Sequence, residues 1–79
     1  MPHTYILYSG KLNKYYVGST TDLHRRIQDH NRGKEKFTSL GTPWEIVYSE
    51  YFELLVDARR RESLIKKQKS RKYIEGLIG

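Results

Sequence analysis

A carboxylate in the middle of an apolar helix face is the first feature of the sequence that could support chemistry. From residue 55 onward, apolar side chains repeat at helical spacings of 3, 4 and 3, interrupted only by one acid: Leu55, Ala58, Glu62 and Ile65. A carboxylate in such a place needs an ion pair, a hydrogen bond or a metal. Lys66 and Arg59 lie within reach on the helix surface, so an ion pair is one explanation. The other is a ligand for a hard divalent cation, which often takes only one or two carboxylates and completes its shell with phosphate and water.

Two further polar side chains share a face of another predicted helix, which lies earlier in the chain. Arg26 and His30 are four residues apart, beside an apolar stripe formed by Leu23 and Ile27, which predicts that both lie at the boundary of core and solvent. Taken alone, Arg26 would pair with a nearby carboxylate such as Asp22 or Asp29. Taken alone, His30 would be a helix-surface or boundary histidine, and the three histidines of the chain have no metal-ligand spacing.

The charge of the chain favours a polyanionic partner. Fifteen Lys and Arg against nine Asp and Glu give a net charge of +6, and eight of the fifteen fall between Arg59 and Lys72, where Glu62 is the only acid. A solvated helix face would produce the same run. Without cysteine there is neither a disulfide framework nor a thiolate metal site. With no long apolar run and no secretory signal, we expect a cytoplasmic protein without a membrane partner.

The elements that must position these side chains follow from periodicity and turn residues. Residues 4–8 and 15–18 predict a β-hairpin, with residues 9–14 as its turn. A helix over residues 22–31 follows, then an exposed loop over residues 32–42 and a third strand over residues 44–52. A helix carrying Glu62 and a short helix capped by Ser70 complete the order β-β-α-β-α-α. This order predicts a single α+β domain over residues 1–79.

The joint spacing of several residues resembles the GIY-YIG nuclease family, in particular its small stand-alone bacterial members, which are related to the N-terminal nuclease domain of a repair excinuclease. Tyr16-Val17-Gly18 matches the second tripeptide of the family, and Tyr5, eleven residues before Tyr16, matches the tyrosine of the first. Arg26 stands in the place of the catalytic arginine, and His30 follows where several members carry a histidine. Glu62 falls in the segment that carries the metal-binding glutamate. The resemblance covers essentially the whole chain.

The sequence departs from the family pattern at two places. His3 and Thr4 replace the leading Gly and Ile of the first tripeptide, which is expected to affect packing more than chemistry. Many members also place an asparagine after the glutamate helix, near the scissile phosphate, whereas this sequence has no asparagine beyond Asn31. Ile74 or Leu77 would be nearest that place.

The resemblance implies a fold, an activity and a cofactor. The implied fold is a small three-stranded antiparallel sheet flanked by helices, and the implied activity is metal-dependent endonucleolytic hydrolysis of phosphodiester bonds, in DNA repair or processing. Glu62 would hold one Mg²⁺ or Mn²⁺, and Arg26 would stabilise charge on the phosphoryl oxygens. Tyr5 or Tyr16 would position or deprotonate the attacking water, with His30 as a proton relay.

The implied partner is nucleic acid, with DNA favoured over RNA. Backbone contacts supply affinity without sequence preference, and the residues expected to make them are Gly18, Ser19, Arg32, Lys34, Lys36, Arg59, Lys66 and Lys69. Two rival hypotheses use the same features. One is a nucleic-acid-binding module of weak or absent catalytic activity, and the other is a protein-binding domain with an acidic partner.

Overall fold

The structure, a computed structural model, describes residues 1–34, 36 and 38–79. It begins with the predicted hairpin, whose strands β1 (His3–Ser9) and β2 (Lys14–Thr20) run antiparallel. Asn13 closes the turn with φ of 53°, a left-handed conformation that asparagine tolerates better than most residues. Each strand extends the predicted range by one or two residues.

The third strand, β3 (Trp44–Tyr51), pairs antiparallel with the other side of β1. The strand order is β2-β1-β3, so β2 and β3 are the edge strands of the sheet. This confirms the predicted α+β fold with a three-stranded antiparallel sheet and the order β-β-α-β-α-α.

Three helices flank the sheet: α1 (Leu23–Asn31), α2 (Leu55–Lys67) and α3 (Arg71–Ile78). Asp22 caps α1 by accepting a hydrogen bond from the Arg25 backbone N–H, and Ser70 caps α3 by accepting one from that of Tyr73. The predicted Ser70 cap is therefore present. None of the helices in the described part of the chain is long and apolar enough to cross a membrane.

Alternation along the strands sends side chains to two separate cores, one on each face of the sheet. Tyr5, Leu7 and Trp44 form the core that α1 covers, and Ile6, Val17 and Ile65 form the core on the opposite face, beneath α2 and α3. α1 packs nearest β3, whereas α2 packs on β2 and β1. The two helices therefore approach opposite edges of the sheet from opposite faces.

The segment after α1 differs from the exposed loop predicted over residues 32–42. Thr38 and Gly41 are buried, and a short 3-10 helix spans Ser39–Gly41. Trp44 lies against this segment, because its Nε1–H donates to the Thr38 carbonyl at 2.7 Å and a Cβ at Gly41 would lie 2.5 Å from the indole ring. The indole thus draws the segment into the first core, which composition alone does not reveal. Residues 35 and 37 of the predicted loop lie outside the described residues.

Candidate functional site

Tyr5 extends from the central strand across the edge strand beside it. It pairs with Gly18 in the antiparallel register, and a Cβ at Gly18 would lie 2.5 Å from the Tyr5 hydroxyl oxygen and 2.6 Å from Cζ. A glycine is therefore required at this position for the ring to lie over β2. Gly18 therefore permits the close approach of the Tyr5 side chain to β2.

The Tyr5 hydroxyl is the centre of a buried hydrogen-bond network. Arg26 Nε donates to Tyr5 Oη at 3.4 Å, and Tyr5 Oη lies 3.1 Å from His30 Nε2. His30 Nδ1 lies 2.9 Å from Thr38 Oγ1. A guanidinium can only donate, so Tyr5 accepts from Arg26 and has its own proton to give to His30 Nε2. This direction fits a neutral His30 protonated on Nδ1.

The protonation of Tyr5 follows from its surroundings. Burial raises the pKa of Tyr5 to about 12, and electrostatic interactions with Tyr16 and Glu62 act in the same direction, while the hydrogen bond and charge of Arg26 oppose them. The phenol therefore keeps its proton at neutral pH. Any role for Tyr5 as a base must include a path that removes this proton.

Tyr16 lies on the same face of the sheet as Tyr5 and packs around His30. Its ring centroid is 4.9 Å from that of His30, in an edge-to-face arrangement, and 6.4 Å from that of Tyr5. A further edge contact at 6.3 Å joins it to Trp44. The two tyrosines, the arginine and the histidine predicted from spacing are therefore brought together.

His30 is placed differently from the prediction, whereas Arg26 lies at the boundary of core and solvent as predicted. His30 is fully buried, not at the boundary of core and solvent, because Tyr5, Tyr16 and Thr38 surround its ring. Arg26 is half-buried and donates to a phenol. Of the carboxylates suggested as its partners, Asp22 caps α1 and Asp29 lies 3.6 Å from Lys34.

Glu62 approaches the same edge strand from the opposite face of the sheet. Ser19 Oγ donates to Glu62 Oε1 at 2.5 Å, and Lys66 Nζ donates to Oε2 at 2.6 Å. The Glu62 side chain is 22% exposed and that of Lys66 is 53% exposed. The predicted ion pair with Lys66 is thus present, while Arg59 points to solvent as an exposed residue.

The two halves of the cluster meet at the edge of β2. Gly18 lies beneath the Tyr5 ring on one face, and the next residue, Ser19, holds Glu62 on the other. Thr4 fixes the distance of α2 from the sheet, because its buried hydroxyl donates to the Ala58 carbonyl at 2.6 Å. The replacement of the family isoleucine by Thr4 therefore concerns the packing of the helix that carries Glu62.

The donor set around Glu62 suits a hard cation bound through few protein ligands. No group of three or more His, Cys, Asp or Glu side chains able to hold a metal occurs in residues 1–34, 36 and 38–79. Mg²⁺ often binds through one or two carboxylates and keeps water and phosphate as its other ligands. A partly exposed carboxylate beside the Ser19 hydroxyl fits that pattern.

The predicted substrate-binding residues fall into two groups. Arg32, Lys34 and Lys36 are exposed beyond the end of α1. On the α2 side, Lys66 and Lys69 border a groove next to β2, while Arg59 is exposed one turn before Glu62. Gly18 and Ser19 lie on β2, where Gly18 contacts the Tyr5 ring and Ser19 donates to Glu62.

Sequence reasoning missed Thr38 and the structural role of Asn31. Thr38 orients His30 from a segment predicted to be exposed, and no spacing signal links the two residues. Asn31 bridges α1 to β3, because its amide accepts from the Trp44 backbone N–H at 2.6 Å and donates to the Trp44 carbonyl at 3.0 Å. The last asparagine of the chain is therefore committed to packing. Ile74 and Leu77, nearest the place of the family asparagine, pack against the core beneath α2 and α3.

Comparison with known proteins identifies the family. A sequence profile described as the GIY-YIG catalytic domain matches residues 1–74. The UPF0213 protein YazA of Bacillus subtilis is 36% identical over 77 residues, which cover 92% of this chain and 78% of that protein. A UPF0213 protein of Halobacterium salinarum is 40% identical over 79 residues, which cover 99% of this chain and 100% of that protein. The solution NMR structure of the UPF0213 protein BH0048 from Bacillus halodurans matches with a TM-score of 0.60 and 36% identity, covering 99% of this chain and 83% of that one. These matches confirm the resemblance predicted from the sequence, and the chain belongs to the GIY-YIG nuclease family.

Proposed function

We propose that this protein is a metal-dependent endonuclease that hydrolyses phosphodiester bonds of nucleic acid, with DNA as the preferred substrate. The observation that carries the proposal is the joint placement of the Arg26–Tyr5–His30 network and Glu62 at one point of the β2 edge. A cation, a carboxylate and a phenol with a proton acceptor behind it are the groups that phosphodiester hydrolysis needs.

Glu62 is the residue that would hold the metal. A bound Mg²⁺ or Mn²⁺ would polarise the scissile phosphate and stabilise the leaving 3′ oxygen. The Glu62 carboxylate would exchange its contact with Lys66 for the divalent ion, and the exposed lysine would be displaced at small cost, because exposed pairs contribute only about 0.2–1 kcal/mol. The Ser19 hydroxyl would keep the other carboxylate oxygen oriented.

Arg26 and Tyr5 would act on different groups in the hydrolysis, Arg26 on the phosphate and Tyr5 on the attacking water. The Arg26 guanidinium would donate to the phosphoryl oxygens as negative charge develops on them, which a planar fork does better than an ammonium. The attacking water would give a proton to Tyr5 Oη while the Tyr5 proton passes to His30 Nε2, along the hydrogen bond of 3.1 Å. This path does not require a free phenolate, which a pKa of about 12 makes scarce at neutral pH.

Tyr16 would position the relay. Its edge contact with the His30 ring, at 4.9 Å between centroids, fixes the plane of the imidazole that must receive the proton. The sequence left two tyrosines open as base or water-positioning group, and Tyr5 has a proton acceptor, His30 Nε2, in hydrogen-bond range. We therefore propose Tyr5 for the proton transfer and Tyr16 for orientation.

A second candidate function is nucleic-acid binding without cleavage. It is favoured by the absence of an asparagine beyond Asn31 and by the apolar Ile74 and Leu77 nearest the place where many family nucleases carry one. The basic residues along α2 and α3 would serve such a module equally well.

The experiment that tests the endonuclease proposal is cleavage of a panel of labelled DNA and RNA structures with Mg²⁺, Mn²⁺ or chelator. The wild type, Glu62→Gln and the matched control Glu53→Gln are compared. Glu53 is an exposed acid just before α2, so its neutralisation changes the net charge equally without touching the site.

We expect metal-dependent cutting by the wild type and Glu53→Gln, and loss of cutting in Glu62→Gln with binding of the panel retained. Binding of the panel by all three proteins without cutting in either metal would replace the enzyme by the binding module. Equal cutting by Glu62→Gln would remove Glu62 from the mechanism.

A further inference from the structure

A groove of about 500 Å³ runs along residues 14–17 of β2. Residues from the end of α2 and from α3 form its other wall. We propose that this groove, called here the β2 groove, seats one unpaired nucleotide of the substrate strand, next to the phosphate that is cut. The proposal rests on the proposed nuclease function and specifies the class of substrate, namely strands that are unpaired beside the cleavage point.

The charges that line the β2 groove select an anion. Lys14, Lys66, Lys69 and Arg71 line it, and no carboxylate does so among the residues that the structure describes. Lys14 and Lys69 are exposed, and neither has an ion-pair partner in the described part of the chain. Their ammonium groups are therefore available to backbone phosphates.

A second hollow of about 310 Å³ on the other side of α2 shows the contrast. Two arginines line it, together with Asp57. Arg60 lies 3.5 Å from Asp57, and Arg61 lies 3.4 Å from Glu50. Its cations are already neutralised by acids of this chain, so a phosphate would have to displace them.

The floor of the β2 groove suits a nucleobase. Tyr15 and Ile74, which are partly buried, provide apolar surface between the cationic walls, and a cationic track beside apolar or aromatic surface is how proteins hold unpaired strands. The volume lies in the range of small-ligand sites, about 300–1,000 Å³. A single base with its sugar can enter a space of this size, whereas a stacked base pair with two backbones cannot.

The β2 groove is held open by one arginine. Arg71 Nη1 donates to the Asn13 carbonyl and Nη2 to Asn13 Oδ1, each at 2.7 Å, and the guanidinium lies 5.1 Å from the centroid of the Tyr15 ring. These contacts tie the start of α3 to the hairpin turn. Because Arg71 is committed in this way, Lys14, Lys66 and Lys69 are the cations left to contact phosphate.

Lys66 connects the β2 groove with the metal-binding carboxylate. It lines the groove and donates to Glu62 Oε2 at 2.6 Å. A nucleotide held by Lys66 therefore has its phosphate beside Glu62, and the bond to be cut is the one that links this nucleotide to its neighbour. Once Glu62 binds a metal, the displaced Lys66 ammonium can bind the phosphate of the seated nucleotide instead.

The test is binding in chelator, measured by fluorescence anisotropy, of three labelled strands made as DNA and as RNA. The strands are a single strand, its full duplex, and the same single strand with an abasic site at every position. Lys69→Asn removes the groove charge, and asparagine suits the φ of 48° at this position. Lys67→Gln, an exposed α2 lysine that does not line the groove, is the matched control.

We expect the wild type to bind the single strand more tightly than the duplex, and to lose about fivefold in affinity when the bases of the strand are removed. Lys69→Asn should weaken single-strand binding about fivefold at about 0.1 M salt and reduce the salt slope by about 0.7, while Lys67→Gln changes both less. Equal loss in the two variants, duplex binding as tight as single-strand binding, or no abasic effect would overturn the proposal. Failure of the nuclease proposal would show separately, as strand binding with this pattern but no cutting in metal.

Discussion

Two consecutive residues of α2 reach opposite edges of the sheet. Arg61 lies 3.4 Å from Glu50 on β3, and Glu62 receives the Ser19 hydroxyl of β2. Their side chains are similarly accessible, 25% exposed for Arg61 and 22% for Glu62. Burial of a charged group therefore does not by itself distinguish these two positions.

The difference lies in what surrounds each charge. At the β3 edge, Glu50 accepts a hydrogen bond from Tyr48 Oη at 2.8 Å and forms an ion pair with Arg61 at 3.4 Å, and the Arg61 side chain is only 25% exposed. At the β2 edge, Glu62 is paired with a lysine that is 53% exposed and can leave. This contrast supports the proposal that the β2 edge is the reactive site and that Arg61 and Glu50 at the β3 edge have a structural role.

The largest difference between the two edges is expected when Arg26, near the β2 edge, and Arg61, near the β3 edge, are each replaced by lysine. Arg26→Lys should slow cleavage about 100-fold, because the ammonium keeps the charge but loses the planar fork toward the phosphoryl oxygens. Arg61→Lys should leave the cleavage rate within about threefold, because Arg61 faces β3. Single-turnover rates on the best substrate of the panel measure both. Equal slowing in the two variants would show that the β2 edge has no special role.

Tyr5, which lies over the β2 edge, and Tyr48 on β3 should contribute differently to the pH dependence of stability. The pKa of Tyr5 is raised by burial to about 12, so between pH 10 and 12 the unfolded chain loses this proton while the folded protein keeps it. Stability therefore falls as pH rises through this range, by about 2 to 3 kcal/mol from Tyr5, and this loss is absent below pH 10. Urea unfolding at several pH values checks this.

Tyr5→Phe and Tyr48→Phe separate the contributions. Burial also raises the pKa of Tyr48, although it is the less buried of the two phenols. We expect Tyr5→Phe to remove most of the alkaline loss and Tyr48→Phe to remove less. An alkaline loss unchanged in Tyr5→Phe would contradict the buried position of the phenol.

Breaking the ion pair between Arg61 and Glu50 at the β3 edge should affect stability more than activity. Arg61→Ala leaves Glu50 without its cation, and we expect the free energy of unfolding to fall by about 2 kcal/mol, less than a fully buried pair because Glu50 is 33% exposed. Urea denaturation measures the change. Cleavage under conditions where the variant remains folded should be within about threefold of wild type, and a loss as large as that in Arg26→Lys would contradict the structural role.

The smallest effect is expected from removing the lysine that pairs with Glu62. Lys66→Gln removes the ammonium that competes for Glu62, so Mn²⁺ should bind about two- to fivefold more tightly, since an exposed pair contributes about 0.2–1 kcal/mol. Titration calorimetry without nucleic acid measures the change, and Lys67→Gln is the control. Weaker Mn²⁺ binding in Lys66→Gln than in the control would show that the lysine does not occupy the metal position.

The sequence predicted most of the fold because local signals and global packing agree in it. Asp22 and Ser70 cap the helices that their types indicate, and the alternation of Tyr5 and Ile6 separates the two cores. Glu62 could be singled out because a carboxylate interrupts an apolar helix face. These features depend on neighbours within a few residues.

The features that escaped the sequence depend on contacts between distant segments. His30 was expected at the boundary of core and solvent, and its burial results from Thr38 and from tyrosines of both hairpin strands. Arg61 belonged to an apparently uniform basic run, and only the position of Glu50 on β3 makes it structural. Periodicity gives the face of a helix, but it does not specify which strand that face meets.

The most direct test of a reactive β2 edge is the map of amide signals that Mn²⁺ broadens in the NMR spectrum, recorded for the wild type, Glu62→Gln and Glu50→Gln without nucleic acid. We predict broadening centred on Gly18, Ser19 and Glu62 in the wild type and in Glu50→Gln, and its loss in Glu62→Gln. Broadening centred on β3, or a wild-type pattern that persists in Glu62→Gln, would contradict the assignment of Glu62 as the metal-binding residue.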